Sequence, residues 1–385
     1  MAPDDEPIEQ QWDEEDTSGD QGTMSPWDPG KIRISTRNLS LREVVSQIES
    51  EELDLAPDFQ REFVWKLRQQ TRLIESVMLG IPLPAFYFNQ DLEGAYQVID
   101  GVQRLTTIQL FMSGDLVLQG KYMEYLKDLD GCTFSELDVA LQRRFRSSQI
   151  VVHVIEPQTP DEIKYDIFNR VNTSGTPLSA QEIRHAMSKS RSRTLLLNLT
   201  SLSSFDIATN FSFWKKTVNG KIPDTNRMMN REMALRFCAF AFYDPLEYKA
   251  FASMDAYLAD FLKKVDGRSD SKSNFPDSVL ARLVQGFNDA MVNCEIVMGA
   301  SAFRRLGVSR KRGPINRAIF EAQALALATV DTAQLKAKAP QVGKKLLSLF
   351  DDEEYVRSVT VGTGAAYRIE YRLARTREAV QEALK

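Results

Sequence analysis

Tyr96-Gln-Val-Ile-Asp-Gly-Val-Gln-Arg-Leu-Thr-Thr-Ile-Gln-Leu-Phe111 is the stretch on which the fold turns. Its first residues (Tyr96, Val98, Ile99) are β-prone and read as a strand. Asp100-Gly101 is a turn signal. Leu105, Ile108 and Phe111 then recur at helical spacing. A strand therefore runs through a glycine turn into a helix whose first turn carries Gln103 and Arg104. Such a turn suits an anion: helix-start amides point outward, glycine permits close approach, and Arg104 can add a bidentate contact. The same residues also fit a purely structural turn in which Arg104 pairs with Asp100.

Outward from this stretch, the N-terminal half alternates strands and helices. Lys31–Ser35 reads as a short strand, and Ser40 caps a helix with Leu41, Val44, Val45 and Ile48 on one face. Ala56–Trp65 is irregular, with Phe59, Phe63 and Trp65 as anchors. Gln60 and Arg61 stand between those aromatics, either as donors held in a pocket or as part of an ordinary loop. A helix through Leu73, Ile74, Val77 and Met78 ends at Gly80, and the strand Ala85–Phe88 leads back to the opening stretch. Phe134–Phe145 is helical and carries Arg143, Arg144 and Arg146, a solvated face or a nucleic-acid contact. A strand surrounds Val152. Thr159-Pro-Asp-Glu162 starts a helix, with Thr159 as its cap. That helix ends in Asn169–Gly175, a polar loop containing Arg170 and Asn172. Ser179-Ala-Gln-Glu182 supplies a second capping box.

From about residue 190 the strand signals fade. Helical patterns cover 231–241, 253–265, 278–298, 316–328, 339–350 and 368–384, with a polar linker at 267–276. Ser309-Arg-Lys-Arg-Gly313 is the strongest basic run. The expected fold class is α+β, followed by an all-helical C-terminal domain.

Composition narrows the chemistry. Residues 1–30 hold ten acids and no Lys or Arg, which reads as a disordered acidic leader. The net charge of −5 therefore leaves the rest of the chain at +5, a body that can meet nucleic acid without requiring it. Three scattered cysteines (Cys132, Cys238, Cys294) suggest reduced thiols in the cytoplasm. No apolar run reaches membrane-spanning length. The two histidines, His153 and His185, form no zinc-type spacing, so no metal ligands are assigned.

Four segments in order, PDFQREFVW, LIESVMLGIPLPAFYF, YQVIDGVQRLTTIQLF and IFNRVNTSGTPLSAQEIRHA, fall within residues 55–187. Together they resemble the ParB/sulfiredoxin-like N-terminal domain of GmrSD-type modification-dependent restriction proteins. The resemblance implies a small mixed sheet in residues 31–190, a helical domain over 191–385, and binding of a nucleoside triphosphate, with Mg²⁺ as a candidate companion. The family's Asp-Gly-Gln-Gln-Arg motif appears here as Asp100-Gly101-Val102-Gln103-Arg104. Val102 removes a polar group that could position water or ribose. The resemblance assigns Asp100, Gln103 and Arg104 to catalysis, and Gln60, Arg61, Gly101, Arg170 and Asn172 to nucleotide contact. It implies an NTPase of a bacterial or phage-associated restriction or defence system, with DNA and a separate nuclease or effector as partners. An HNH nuclease needs a histidine base, and no histidine follows His185, so none is expected in this chain. The alternative is a non-enzymatic DNA-binding or scaffold protein on the same fold.

Overall fold

A computed structural model describes residues 28–55, 65–91, 93–171, 179–217, 220–223, 226–267, 275–306 and 312–385. The acidic leader before residue 28, Gln60, Arg61, Asn172 and most of the 309–313 basic run lie outside the described residues. The chain divides into two compact units, one ending at Ala186 and one running from Met187 to Lys385.

The first unit is built on five strands: β1 (Ile34–Ser40), β2 (Leu53–Asp54), β3 (Phe86–Gln90), β4 (Tyr96–Asp100) and β5 (Gln149–Ile155). They lie in the order β1-β5-β3-β4-β2. β1 runs antiparallel to β5 and β3 antiparallel to β4, whereas β3–β5 and β2–β4 are parallel, so the sheet is mixed. Alternation places Phe86, Phe88, Val98, Ile150, Val152 and Val154 in one buried core. Four helices supply the other side of that core: α1 (Leu41–Glu49), α2 (Leu67–Leu79), α3 (Val102–Ser113) and α4 (Val139–Ser147). Ser40 caps α1 as its sequence predicts, its hydroxyl accepting from the Glu43 amide at 3.2 Å. Two shorter helices complete the unit, α5 (Asp161–Val171) and α6 (Ala180–Ala186).

Two local expectations differ. The first strand begins at Ile34 rather than Lys31, because Pro29–Lys31 forms a 3₁₀ turn capped by Asp28. Thr159 does not serve α5. Its hydroxyl accepts from the Arg33 amide and donates to the Arg33 carbonyl, both at 3.0 Å, which fastens the turn after β5 to the residue before β1. Ser179 does form its box: its hydroxyl accepts from the Glu182 amide at 3.1 Å while the Glu182 carboxylate accepts from the Ser179 amide.

Glu75 on α2 is buried and anchors the loop that follows α3. Its carboxylate accepts from the amides of Glu124, Tyr125 and Leu126 at 3.0, 2.7 and 3.0 Å. Burial alone pulls its pKa up, but these amides and nearby Arg72 outweigh it and hold the pKa below the usual carboxylate value.

The second unit is mainly helical. It contains α7 (Ser190–Thr200), α8 (Ser203–Ala208), α9 (Met229–Phe242), α10 (Met254–Val265), α11 (Asp277–Met298), α12 (Arg317–Leu327), α13 (Thr332–Ser348), α14 (Glu353–Thr360) and α15 (Ala366–Leu384). Two antiparallel ribbons interrupt the helices: β6 (Trp214–Thr217) with β7 (Gly220–Pro223), and β8 (Arg304–Leu306) with β9 (Arg312–Ile315). At its centre Glu321 on α12 is fully buried between two arginines. It accepts from Arg236 Nη1 of α9 at 2.7 Å and from Arg372 Nη2 of α15 at 2.6 Å. Arg236 also meets Glu232 at 2.9 Å, and Arg372 donates to the Thr363 and Ser358 carbonyls.

Two outcomes follow from these buried carboxylates. Glu321→Gln removes the carboxylate paired with buried Arg372 and one of those paired with Arg236, which keeps Glu232, and chemical denaturation should show a loss of about 3–5 kcal/mol. Glu75→Gln should cost about 1–3 kcal/mol near neutral pH. A depressed folded pKa contributes stability above the unfolded value, near 4.3, and loses it as pH falls through the folded value. The gap between wild type and Glu75→Gln should therefore close on acidification; a gap unchanged down to acid unfolding would contradict this role.

Candidate functional site at the Gly101 turn

The strand–turn–helix forms as its sequence predicts. β4 ends at Asp100, Gly101 turns with φ 103° and ψ 8°, and α3 begins at Val102. Only glycine adopts this backbone without strain. A side chain is also excluded sterically, since a Cβ at Gly101 would lie 2.2 Å from Phe86 Cδ1. Gly101 brings no capping side chain, and no side-chain cap bond closes the helix start.

Arg104 folds back over this turn. Its Nη2 meets Asp100 Oδ2 at 2.9 Å and donates to the Ala85 carbonyl at 3.2 Å. Its Nη1 donates to the Pro84 carbonyl. The guanidinium carbon stands 4.1 Å from the centroid of the Phe86 ring, a cation–π distance. Only 12% of the Arg104 side chain is exposed, against 35% for Asp100. Burial lowers the Arg104 pKa from its usual value, and the charge of Asp100 opposes that shift. Of five guanidinium N–H groups, three are spent on the chain's own oxygens. The simple phosphate contact expected of Arg104 would have to use the remaining two or break one of these bonds.

Gln103 does something the sequence did not announce. Its Oε1 accepts from the Trp65 amide at 3.4 Å, while Gln70 Nε2 donates to the Trp65 carbonyl at 2.9 Å. The residue that ends the Gln60–Arg61 segment is thus held against the first turn of α3. No periodicity signals such a contact, because it joins an irregular segment to a helix start. Arg170, at the end of α5, pairs with Asp166 Oδ2 at 3.0 Å and is 74% exposed. The structure brings Asp100, Gly101, Gln103 and Arg104 together with Phe86 and Trp65.

Residues 41–188 match the family described as GmrSD restriction endonuclease, N-terminal domain. This part of the chain is a GmrSD-type N-terminal domain, a family named for restriction endonucleases. No curated protein matches the chain. No described helix is long and apolar enough to cross a membrane.

Gly101→Ala tests the turn directly. A left-handed alanine costs about 1–2 kcal/mol and the overpacking against Phe86 about 1–3 kcal/mol more. The melting temperature of the variant should fall accordingly; an unchanged melt would show that the turn can relax.

Proposed function

We propose that the GmrSD-type domain binds a nucleoside triphosphate at the start of α3. The observation that carries this reading is the left-handed Gly101 at the head of a twelve-residue helix with no side-chain cap. Such a helix start favours phosphate through its amides and its positive dipole end. Gln103 supports the reading by holding the Trp65 end of the Gln60–Arg61 segment beside that helix start.

In this reading Asp100 and Arg104 are positioning residues. They lock the turn so that the amides keep their direction without a ligand, and preorganisation lowers the ordering cost of binding. Arg61 is the cation assigned to the phosphates, assisted by Gln60, with Arg170 and Asn172 as further contacts. Mg²⁺ would neutralise the phosphates and arrive with them; Asp100 supplies one carboxylate, already partly engaged by Arg104. The nucleotide would govern a restriction activity that acts on DNA through a separate nuclease or effector. Val102 at the centre of the motif favours binding over rapid hydrolysis. The inward-facing guanidinium of Arg104 favours a second reading, a scaffold that retains the turn for its rigidity alone.

Calorimetry separates the two. The wild-type chain, titrated with each of the four ribonucleoside triphosphates in the presence of Mg²⁺, should bind at least one. Arg61→Ala should weaken that binding about tenfold or more through loss of a charge-assisted hydrogen bond. Failure of the wild type to bind any triphosphate would overturn the nucleotide reading and leave the scaffold.

A further inference from the structure

Charge is divided unevenly within the GmrSD-type unit. Residues 31–186 hold 17 Lys and Arg against 22 Asp and Glu, a net −5. Yet α2 and α4, which pack against each other, hold five arginines and one acid. That acid is Glu75, buried and spent on the amides of Glu124, Tyr125 and Leu126. The arginines are Arg68 and Arg72 on α2 and Arg143, Arg144 and Arg146 on α4, and all five are exposed. None of the five forms an ion pair among the described residues. The acids that lead into α4 are engaged by the backbone and by Thr133. Glu136 accepts from the Thr133 amide and hydroxyl at 2.7 and 2.8 Å, and Asp138 accepts from the Leu141 amide at 2.8 Å.

The fold also holds three of these guanidinium groups in place. Arg72 Nε donates to the Tyr122 carbonyl at 3.4 Å, in the loop that Glu75 anchors. Arg144 reaches the C-terminal end of α2, where its Nη2 lies 3.5 Å from the position a Cβ would take on Gly80. A cation is favoured there by the helix dipole. Arg146 lies over Phe134, its guanidinium carbon 5.0 Å from the ring centroid. A guanidinium has five N–H groups, so each of these contacts leaves donors for an outside acceptor. A side chain already positioned loses less freedom on binding.

Spacing groups the arginines further. Arg68 and Arg72 are four apart on α2, and Arg143 and Arg146 are three apart on α4, so each pair shares one helix face. Phe145 buries the opposite side of α4 in the core. A guanidinium fork fits a phosphate in a two-point contact. A DNA duplex presents such phosphates densely, one charge per about 1.7 Å of its axis.

We propose that the arginines of α2 and α4 form a docking surface for the phosphate backbone of duplex DNA, with Arg68, Arg72, Arg143, Arg144 and Arg146 as phosphate contacts. Binding there is electrostatic and largely independent of sequence. It does not rest on the nucleotide reading, since it uses none of the residues of the Gly101 turn and needs no triphosphate.

The test uses the full chain without nucleotide, a short fluorescent duplex, and anisotropy over a series of salt concentrations. Wild type should bind with a strong salt dependence. Arg143→Glu should weaken binding about tenfold and reduce the salt slope by roughly one or more. Its melting temperature should match wild type, because the Arg143 side chain makes no bond among the described residues. Arg143→Lys keeps the charge and should retain most of the affinity. Lys336→Glu on α13 makes the same charge change elsewhere and should have a clearly smaller effect. Absence of salt-dependent binding by wild type, undiminished binding by Arg143→Glu, or an equal loss with Lys336→Glu would overturn the proposal. Competition by poly-glutamate as strong as by unlabelled duplex would overturn the assignment to DNA in favour of an acidic protein segment.

Discussion

The geometry of the N-terminal unit depends on the close approach of Phe86 to the backbone of Gly101. The aromatic ring fills the space where any other residue would carry its Cβ. That contact requires glycine, and the positive φ of glycine turns the chain sharply from β4 into α3. Once the turn is made, Arg104 is delivered above the same ring, within reach of Asp100 and of the carbonyls of Pro84 and Ala85. The entry into β3, the exit from β4 and the start of α3 are thereby tied at one point. Ligand contact at the helix start would be made by a backbone that is already rigid.

Arginine plays two parts in this protein, and the difference lies in the oxygens available to it. Arg104, Arg304 and Arg372 each collect carbonyl or carboxylate oxygens from distant segments and act as internal fasteners. Burial makes such contacts expensive to break, because an abandoned guanidinium has no water to turn to. Arg305 stands exposed on a ribbon whose sequence contains no carboxylate. The first kind gives rigidity. The second stays at the surface.

Much of the architecture is legible in the residues themselves. Ser40, Gly80, Gly101 and the Ser179–Glu182 box mark element ends through short-range chemistry, and each does so in the folded chain. Periodicity places α9–α12 and α15 to within a few residues. The helix α13 starts at Thr332, seven residues earlier than its pattern suggests, because Pro340 masks a helix that Asp331 caps at its true beginning. The two ribbons escape detection since strands of three or four residues carry too little alternation to register. At the Gly101 turn, residue types and spacing reveal the turn and the Asp100–Arg104 pair. They do not reveal which way the guanidinium points. That direction depends on the Pro84 and Ala85 carbonyls and the Phe86 ring, set by the neighbouring strand rather than by local sequence.

Glu321 joins partners 85 and 51 residues away along the chain, on α9 and α15. Closing loops of that length is slow and entropically unfavourable until neighbouring helices have already docked. The node therefore closes late in folding, after hydrophobic association of the helices. An interaction absent from the folding transition state slows escape from the native state rather than speeding arrival. The ion cluster at the centre of the helical unit acts in this way as a latch on lifetime, setting how long the folded chain persists between openings.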